Sequence, residues 1–359
     1  MPEIIYINGK FLLQQVTGVQ RYALELFRYI DSFLQESSYQ DLRVVCLVPR
    51  GIYTVPNWRN IEVRQVGINT GHLWEQIDLP LYSRGSLLFS PGNTGPLFYA
   101  NQVITLHDAS TFAVPQAYSR IFRAKYKLTF NALVRFSKMR LTDSQFSQRE
   151  LGRYLGVRPE RFRVILLGGD HFTETQADIT ILNRQGLTPK GYFLSVASQS
   201  LHKNFGSILQ AASIYPDFDF VAVGGSYSRV FQQVDLQSKL PNVHLLGYVN
   251  DHELKALYEN ALAFIFPSTY EGFGLPVLEA MNSGCPVLCS TSASLSEVGG
   301  DAVMYFDPHD TDSIVAVIEN FISDSARAAD LQIRGYKQAR MFSWEKTARI
   351  TMDALVSCL

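Results

Sequence analysis

The segment PSTYEGFGLPVLEAMNSGCPVL, residues 267–288, holds the side chains of this 359-residue chain best suited to do chemistry. A run of buried type ends at Pro267, and a helix is predicted to begin near Pro276, because proline is favoured at the first helical position. The loop between them is glycine-rich. Gly272 and Gly274 let backbone approach a ligand closely, and the unpaired N–H groups that open the helix attract an anion such as a diphosphate. Glu279 lies one helical turn beyond Leu275, on the same face, and Glu271 precedes the loop, so both carboxylates can address one cleft. Carboxylates there would accept sugar hydroxyls. An ordinary strand–turn–helix junction would carry the same pattern.

Other segments offer further groups. In ITLHDAS, His107 and Asp108 stand at the C-terminal end of a predicted strand, the edge where ligands gather in open α/β sheets. His107 is expected to face the cleft, although a lone histidine also serves as a satisfied structural group. Asp108 either caps a turn or orients His107. In SVASQSLHKNFGSILQA, Lys203 lies between a strand and a helix, where its ammonium could meet a phosphate or simply be solvated. In NGKFLLQQVTGVQRYALEL, Gly18 sits at a helix start whose N–H groups could face an anion or merely await a cap.

EGFGLPVLEAMNSGCPV, with Glu271 and Glu279 as E-x7-E, closely resembles the signature of the retaining glycosyltransferases of family 4, of the bacterial polysaccharide-assembly type. The segments around Gly18, His107 and Lys203 resemble other blocks of that family, in its order. So do LTDSQFSQRELGRYLGVRPERFRVILLGGD, where Ser144 is placed to cap a helix, and LLGYVNDHELKALYENALAFIFPS. The resemblance therefore runs nearly the full chain. It implies a GT-B fold, two Rossmann-like doubly wound parallel-sheet domains facing a central cleft. It also implies transfer of a hexose, with retained configuration, from a nucleotide-sugar to a hydroxyl of a glycan or lipid-diphosphate-linked acceptor. The expected donor is UDP-glucose, with GDP-mannose and a non-catalytic sugar-nucleotide-binding protein as alternatives.

By the same resemblance Glu271 would hold hydroxyls of the donor sugar, Glu279 the ribose, and the N–H groups of Phe273, Gly274 and Leu275 the sugar and diphosphate. Gly247, Tyr248 and Val249 would grip the base; from its position Asp251 reads as the cap of the following helix, and Thr269 either touches phosphate or ribose or is a turn hydroxyl. Glu271, Lys203 and His107 are the expected catalytic residues, with Ser198 beside the donor. The family usually has an arginine a few residues before the lysine, where this chain has Ala197, Ser198 and Gln199. Either Lys203 and the helix N-termini suffice, or His202 or Arg21 replaces it. A nucleotide-sugar epimerase or a phosphorylase would lack the E-x7-E block.

Composition narrows the field. The formal charge is −1, which gives no support to nucleic-acid binding. The halves differ, however: residues 1–170 hold 20 Lys/Arg and 13 Asp/Glu, net +7, leaving 12 and 20, net −8, for the remainder. Residues 120–140 carry seven Lys/Arg, no acid and four aromatic residues. They form either a surface helix or a peripheral contact with anionic membrane. Asp217 and Asp219 form a D-x-D that precedes a strand, at the edge away from the ligand, so they are assigned to a turn. No metal and no cofactor are expected. Neither G-x-G-x-x-G after a strand nor a P-loop motif is present. Cys46, Cys285, Cys289 and Cys358 lack metal or redox spacing, which suits a reducing compartment. The N-terminus lacks the basic and apolar regions of a signal peptide, so a cytoplasmic location is expected, with contact at the inner face of the cell membrane as an extension.

The elements that must position these groups alternate short β-branched runs with longer segments of helical period, the pattern of parallel βαβ units. Strands are predicted at 4–7, 43–48, 61–66, 87–89, 103–106, 139–142 and 162–166, then at 192–196, 218–223, 243–246, 262–266 and 287–289. The polar segment 170–190 reads as a linker. This divides the chain into an acceptor-binding domain, 1–170, a donor domain, 171–342, and a C-terminal helix, 343–359, packing back on the first. That helix should bury Trp344, Ala348, Met352 and Leu355.

Overall fold

The computed structural model describes residues 3–51, 54–196, 200–225 and 240–359. They form two compact units, one of residues 1–167 and 344–359, the other of residues 168–343.

The first unit is built on seven strands: β1 (Glu3–Asn8), β2 (Leu42–Val48), β3 (Glu62–Gln65), β4 (Leu87–Ser90), β5 (Gln102–Thr105), β6 (Met139–Thr142) and β7 (Arg163–Val164). Their order is β3-β2-β1-β4-β5-β6-β7, with every pairing parallel. The interior strands are near-continuous apolar runs because helices cover both faces of such a sheet. Among those helices are α1 (Gly18–Phe33), α2 (Arg120–Phe136) and α3 (Gln145–Leu155). α1 buries Tyr22, Ala23, Leu26, Phe27 and Ile30, the stripe its three-and-four spacing predicts. Ser144 caps α3 by accepting the Ser147 N–H at 3.0 Å.

The second unit has six strands: β8 (Tyr192–Val196), β9 (Asp219–Val223), β10 (Val243–Gly247), β11 (Ala263–Phe266), β12 (Val287–Ser290) and β13 (Met304–Phe306). The order is β10-β9-β8-β11-β12-β13, again all parallel. Its helices include α4 (Phe205–Ile214), α5 (Asp251–Asn260), α6 (Leu275–Asn282), α7 (Thr311–Ile322) and α8 (Ser325–Ala339). Phe193, Phe220, Ile265 and Leu288 from the sheet meet Ile208, Ile314 and Ile318 from the helices in one core.

The last helix, α9 (Trp344–Val356), buries Trp344, Ala348, Met352 and Leu355. It is part of the first unit, where the Trp344 ring lies 6.3 Å from that of Tyr22 on α1. Arg349 forks onto the Glu36 carboxylate at 2.7 and 2.8 Å.

Three local differences from the sequence reading have simple causes. β13 is short and its three residues carry no marked alternation, so it gave no strand signal. Segment 170–190 is not a bare linker, since Thr180–Gln185 is helical, ends on Gly186 in the left-handed conformation, and packs Ile181 and Leu182 into the second unit. The cap of α5 is Asn250 rather than Asp251: the Asn250 side chain accepts the Glu253 N–H at 3.1 Å, and the Glu253 carboxylate accepts the Asn250 N–H, also at 3.1 Å.

Candidate functional site

In a doubly wound sheet the strand order reverses at one point, where the helices on either side diverge and leave a crevice beyond the strand C-termini. In the second unit this point lies between β8 and β11. Lys203 follows β8 and Glu271 follows β11, so the topology alone brings them together. Lys203 Nζ donates to Glu271 Oε1 at 2.5 Å, and the ammonium also lies 5.3 Å from the centre of the Phe266 ring. Thr269 ties the two loops: its N–H donates to the His202 carbonyl at 2.8 Å and its hydroxyl to the same oxygen at 3.2 Å.

The loop from Glu271 to Gly274 is held from behind by Ser294, whose hydroxyl contacts the carbonyls of Glu271 and Phe273 at 3.0 and 2.7 Å. Gly274 enters α6 at φ 114°. A Cβ there would meet Leu295 Cδ2 at 2.7 Å, so both conformation and space demand glycine. Leu275 and Pro276 open the helix, whose first N–H groups have no partner within it and concentrate its positive end.

Glu279, one turn into α6, is buried with both oxygens engaged. His171 Nε2 lies 3.2 Å from Oε1, and the Tyr258 hydroxyl donates to Oε2 at 3.2 Å. Burial, then the carboxylate beside it, holds the Tyr258 phenol protonated well above the usual tyrosine range. Sequence reasoning missed both supporting residues. His171 lies in the polar stretch read as linker, and Tyr258 reads as one more apolar position of α5.

Gly247, at φ 68°, ends β10, and beyond it Tyr248 is exposed and Val249 half-buried. Gly272 is buried in the loop with Phe273 and Leu275. Ser198, with Ala197 and Gln199, lies outside the described residues. Asp217 is in a turn and Asp219 begins β9, where it pairs with His244 at 2.9 Å, at the edge opposite the Lys203–Glu271 pair.

In the first unit Gly18 is the first residue of α1, after Thr17, whose N–H donates to the Gln20 side chain at 3.2 Å. Nothing lies within 4 Å of where a Cβ at Gly18 would stand. His107 is buried, and both ring nitrogens are engaged within the unit: Nδ1 faces Asp143 Oδ2 at 2.7 Å and Nε2 donates to the Pro91 carbonyl at 2.9 Å. Burial opposes charge on this ring, yet the Asp143 carboxylate outweighs it and raises the pKa above the ordinary histidine value. Asp108 caps a turn by accepting the Ser110 N–H at 2.7 Å, and Asp143 is the residue that orients His107. Arg21 lies 3.6 Å from Glu25 on its own helix.

No helix among the described residues is long and apolar enough to cross a membrane. The four cysteines are buried free thiols, and burial pushes that of Cys285 up to about 12.

The family model for glycosyl transferases group 1 matches residues 180–338. O-antigen chain mannosyltransferase B of Escherichia coli is 33% identical over 277 residues, covering 72% of this chain and 72% of that protein. O-antigen chain mannosyltransferase RfbU of Salmonella typhimurium is 30% identical over 244 residues, 67% of this chain and 65% of its own length. Among solved structures, HepE of Anabaena in complex with UDP and glucose superposes with a TM-score of 0.75 at 18% identity, covering 99% of this chain and all of that one. A likeness at that identity speaks to the fold, which is GT-B. On the extent of the match to O-antigen chain mannosyltransferase B, the chain belongs to the group 1 glycosyltransferases.

Proposed function

We propose that this protein transfers mannose from GDP-mannose to a hydroxyl of a growing surface polysaccharide. The observation that carries mannose is the 33% identity with O-antigen chain mannosyltransferase B. That relative and RfbU are both named mannosyltransferases, which favours mannose over the glucose and UDP-glucose expected from sequence.

In this reading the second unit holds the donor. Lys203 and the amide groups of Phe273, Gly274 and Leu275 take the diphosphate and stabilise the charge that grows as the C1–O bond breaks, by preorganised electrostatics. No divalent ion is needed for that role. Glu271 holds hydroxyls of the mannosyl ring, and Glu279, braced by His171 and Tyr258, takes the ribose. Gly247, Tyr248 and Val249 receive the base through backbone groups, with Thr269 and Ser198 beside the phosphates. The acceptor hydroxyl attacks the face that the diphosphate leaves, a diphosphate oxygen takes its proton, and the configuration at C1 is retained.

The acceptor is a glycan carried on a lipid diphosphate, met at the inner face of an anionic membrane by the basic residues of α2. Ile121 and Leu128, 84% and 73% exposed on that helix, supply its apolar anchor. Calorimetric titration of the full chain with GDP and with UDP tests the base. GDP should bind at least tenfold tighter, and preference for UDP would reject the GDP-mannose assignment.

A further inference from the structure

One face of α5 braces Glu279 twice. Tyr258 and Lys255 are three residues apart on that helix, so their side chains emerge on the same side. Tyr258 reaches the Glu279 carboxylate directly. Lys255 reaches the turn that carries the second brace: its Nζ donates to the Phe172 carbonyl at 2.8 Å and to the Thr175 carbonyl at 2.7 Å, with the Glu259 carboxylate at 3.7 Å. His171 stands immediately before Phe172, and the turn closes on it, since the Thr175 hydroxyl donates to the His171 carbonyl at 3.2 Å and the Thr175 N–H to the Phe172 carbonyl, also at 3.2 Å. The same helix holds the chain beyond the turn. His252 Nδ1 lies 2.7 Å from the Gln176 carbonyl, and the Asp178 N–H donates to the His252 carbonyl at 2.9 Å.

The Lys255 side chain is only 14% exposed, and a charged donor shared by two carbonyls holds them more strongly than a neutral one would. It thereby fixes the turn, and the turn fixes the His171 ring. A carboxylate only accepts, so the His171 Nε2 that faces Glu279 carries a proton, as the Tyr258 hydroxyl does. Each Glu279 oxygen then has one donor from this pair and keeps a further acceptor position. Two such positions on one rigid carboxylate match two neighbouring hydroxyls, the pattern that a ribose presents at C2′ and C3′. Of the Glu279 side chain 11% is exposed, which leaves it within reach. Without His171 in place the carboxylate can turn about its last torsion, a broad two-fold rotor, and the two positions lose their setting.

We propose that Lys255 is a positioning residue for donor selection: it fixes the His171 turn, and through it the Glu279 carboxylate, in the setting that accepts both ribose hydroxyls, so that ribonucleotides are taken over their 2′-deoxy forms. The proposal rests on the reading of Glu279 as the ribose acceptor and adds to it a residue that acts on the donor only through the turn.

The test is calorimetric titration of the full chain with GDP and UDP and with their 2′-deoxy forms, the ratio of deoxy to ribo Kd being read on the base that binds tighter. The wild-type ratio should be about tenfold or more, the range of one hydrogen bond to a charged group. In Lys255→Met it should fall below about threefold through weaker binding of the ribonucleotide, with affinity for the 2′-deoxy form kept within about twofold. Lys255→Gln, which retains a neutral donor, replaces Lys255→Met if that variant binds neither form. His171→Ala should weaken the ribonucleotide alike, and the Lys255→Met, His171→Ala double variant should bind it within about twofold of His171→Ala alone. A ratio unchanged in the Lys255 variant, an equal and measurable loss of both forms, or a double variant in which the two losses multiply overturns the proposal and leaves Glu279 on the ribose. A wild type that binds both forms alike rejects the ribose role of Glu279 and the proposal with it.

Discussion

Lys203 and Glu271 come from loops 68 residues apart and meet at 2.5 Å across the switch point of the second sheet. The pair keeps a cation and a carboxylate side by side, each less than a fifth exposed, at the mouth of a helix N-terminus. A diphosphate arriving there would take a share of the ammonium and free part of the carboxylate for the sugar. On the proposed function, binding and ring positioning would thereby be coupled through one contact.

That coupling predicts non-additive kinetics. Lys203→Met and Glu271→Gln should each lower kcat by about 10² to 10³, the range found when a single preorganised donor is removed. The double variant should be little worse than either alone. Steady-state rates of the three variants decide it, and simple multiplication of the two effects would show that the residues act separately.

The bracing of Glu279 makes a prediction about binding rather than turnover. Tyr258→Phe leaves a buried carboxylate oxygen without its donor, at a cost of about 1–3 kcal/mol. Denaturant unfolding should report that loss, and the donor KM should rise several-fold with kcat changed less. An unchanged KM would mean that Glu279 does not contact the donor.

Gly274→Ala combines a left-handed φ with a contact 2.7 Å from Leu295. The backbone term alone is about 1–3 kcal/mol. Loss of at least that much in the unfolding free energy, together with a raised donor KM, is expected from urea titration and steady-state kinetics.

The His107–Asp143 pair predicts a pH trend. The imidazole pKa is raised in the folded state, so its proton stabilises the fold fully below the unfolded value near 6.5 and that contribution is lost as pH rises through the folded pKa. Stability should therefore fall on going from about pH 6 to more alkaline conditions, and His107→Gln should flatten the curve. Urea midpoints across this window measure it.

Sequence legibility followed physical range. Local periodicity and cap chemistry exposed α1, α9, the glycine loop and most strands, because each is encoded within a few neighbouring residues. The partners of the site residues are long-range and left no local mark. Asp143 lies 36 residues from His107, and His171 lies 108 from Glu279. Lys255 reads as one basic residue among thirty-two until the turn that holds Phe172 and Thr175 is set beside α5. Local spacing points to Asp251 as the cap of α5, one residue away from Asn250, which offers the same acceptor together with the reciprocal Glu253 bond.

The most direct test of the central claim is release of nucleoside diphosphate from GDP-mannose and UDP-glucose by the purified chain, beside Glu271→Ala and Glu279→Ala. GDP release from GDP-mannose, absent with UDP-glucose and lost in both variants, is the predicted result. Turnover of UDP-glucose in preference, or GDP release undiminished in both variants, would contradict it.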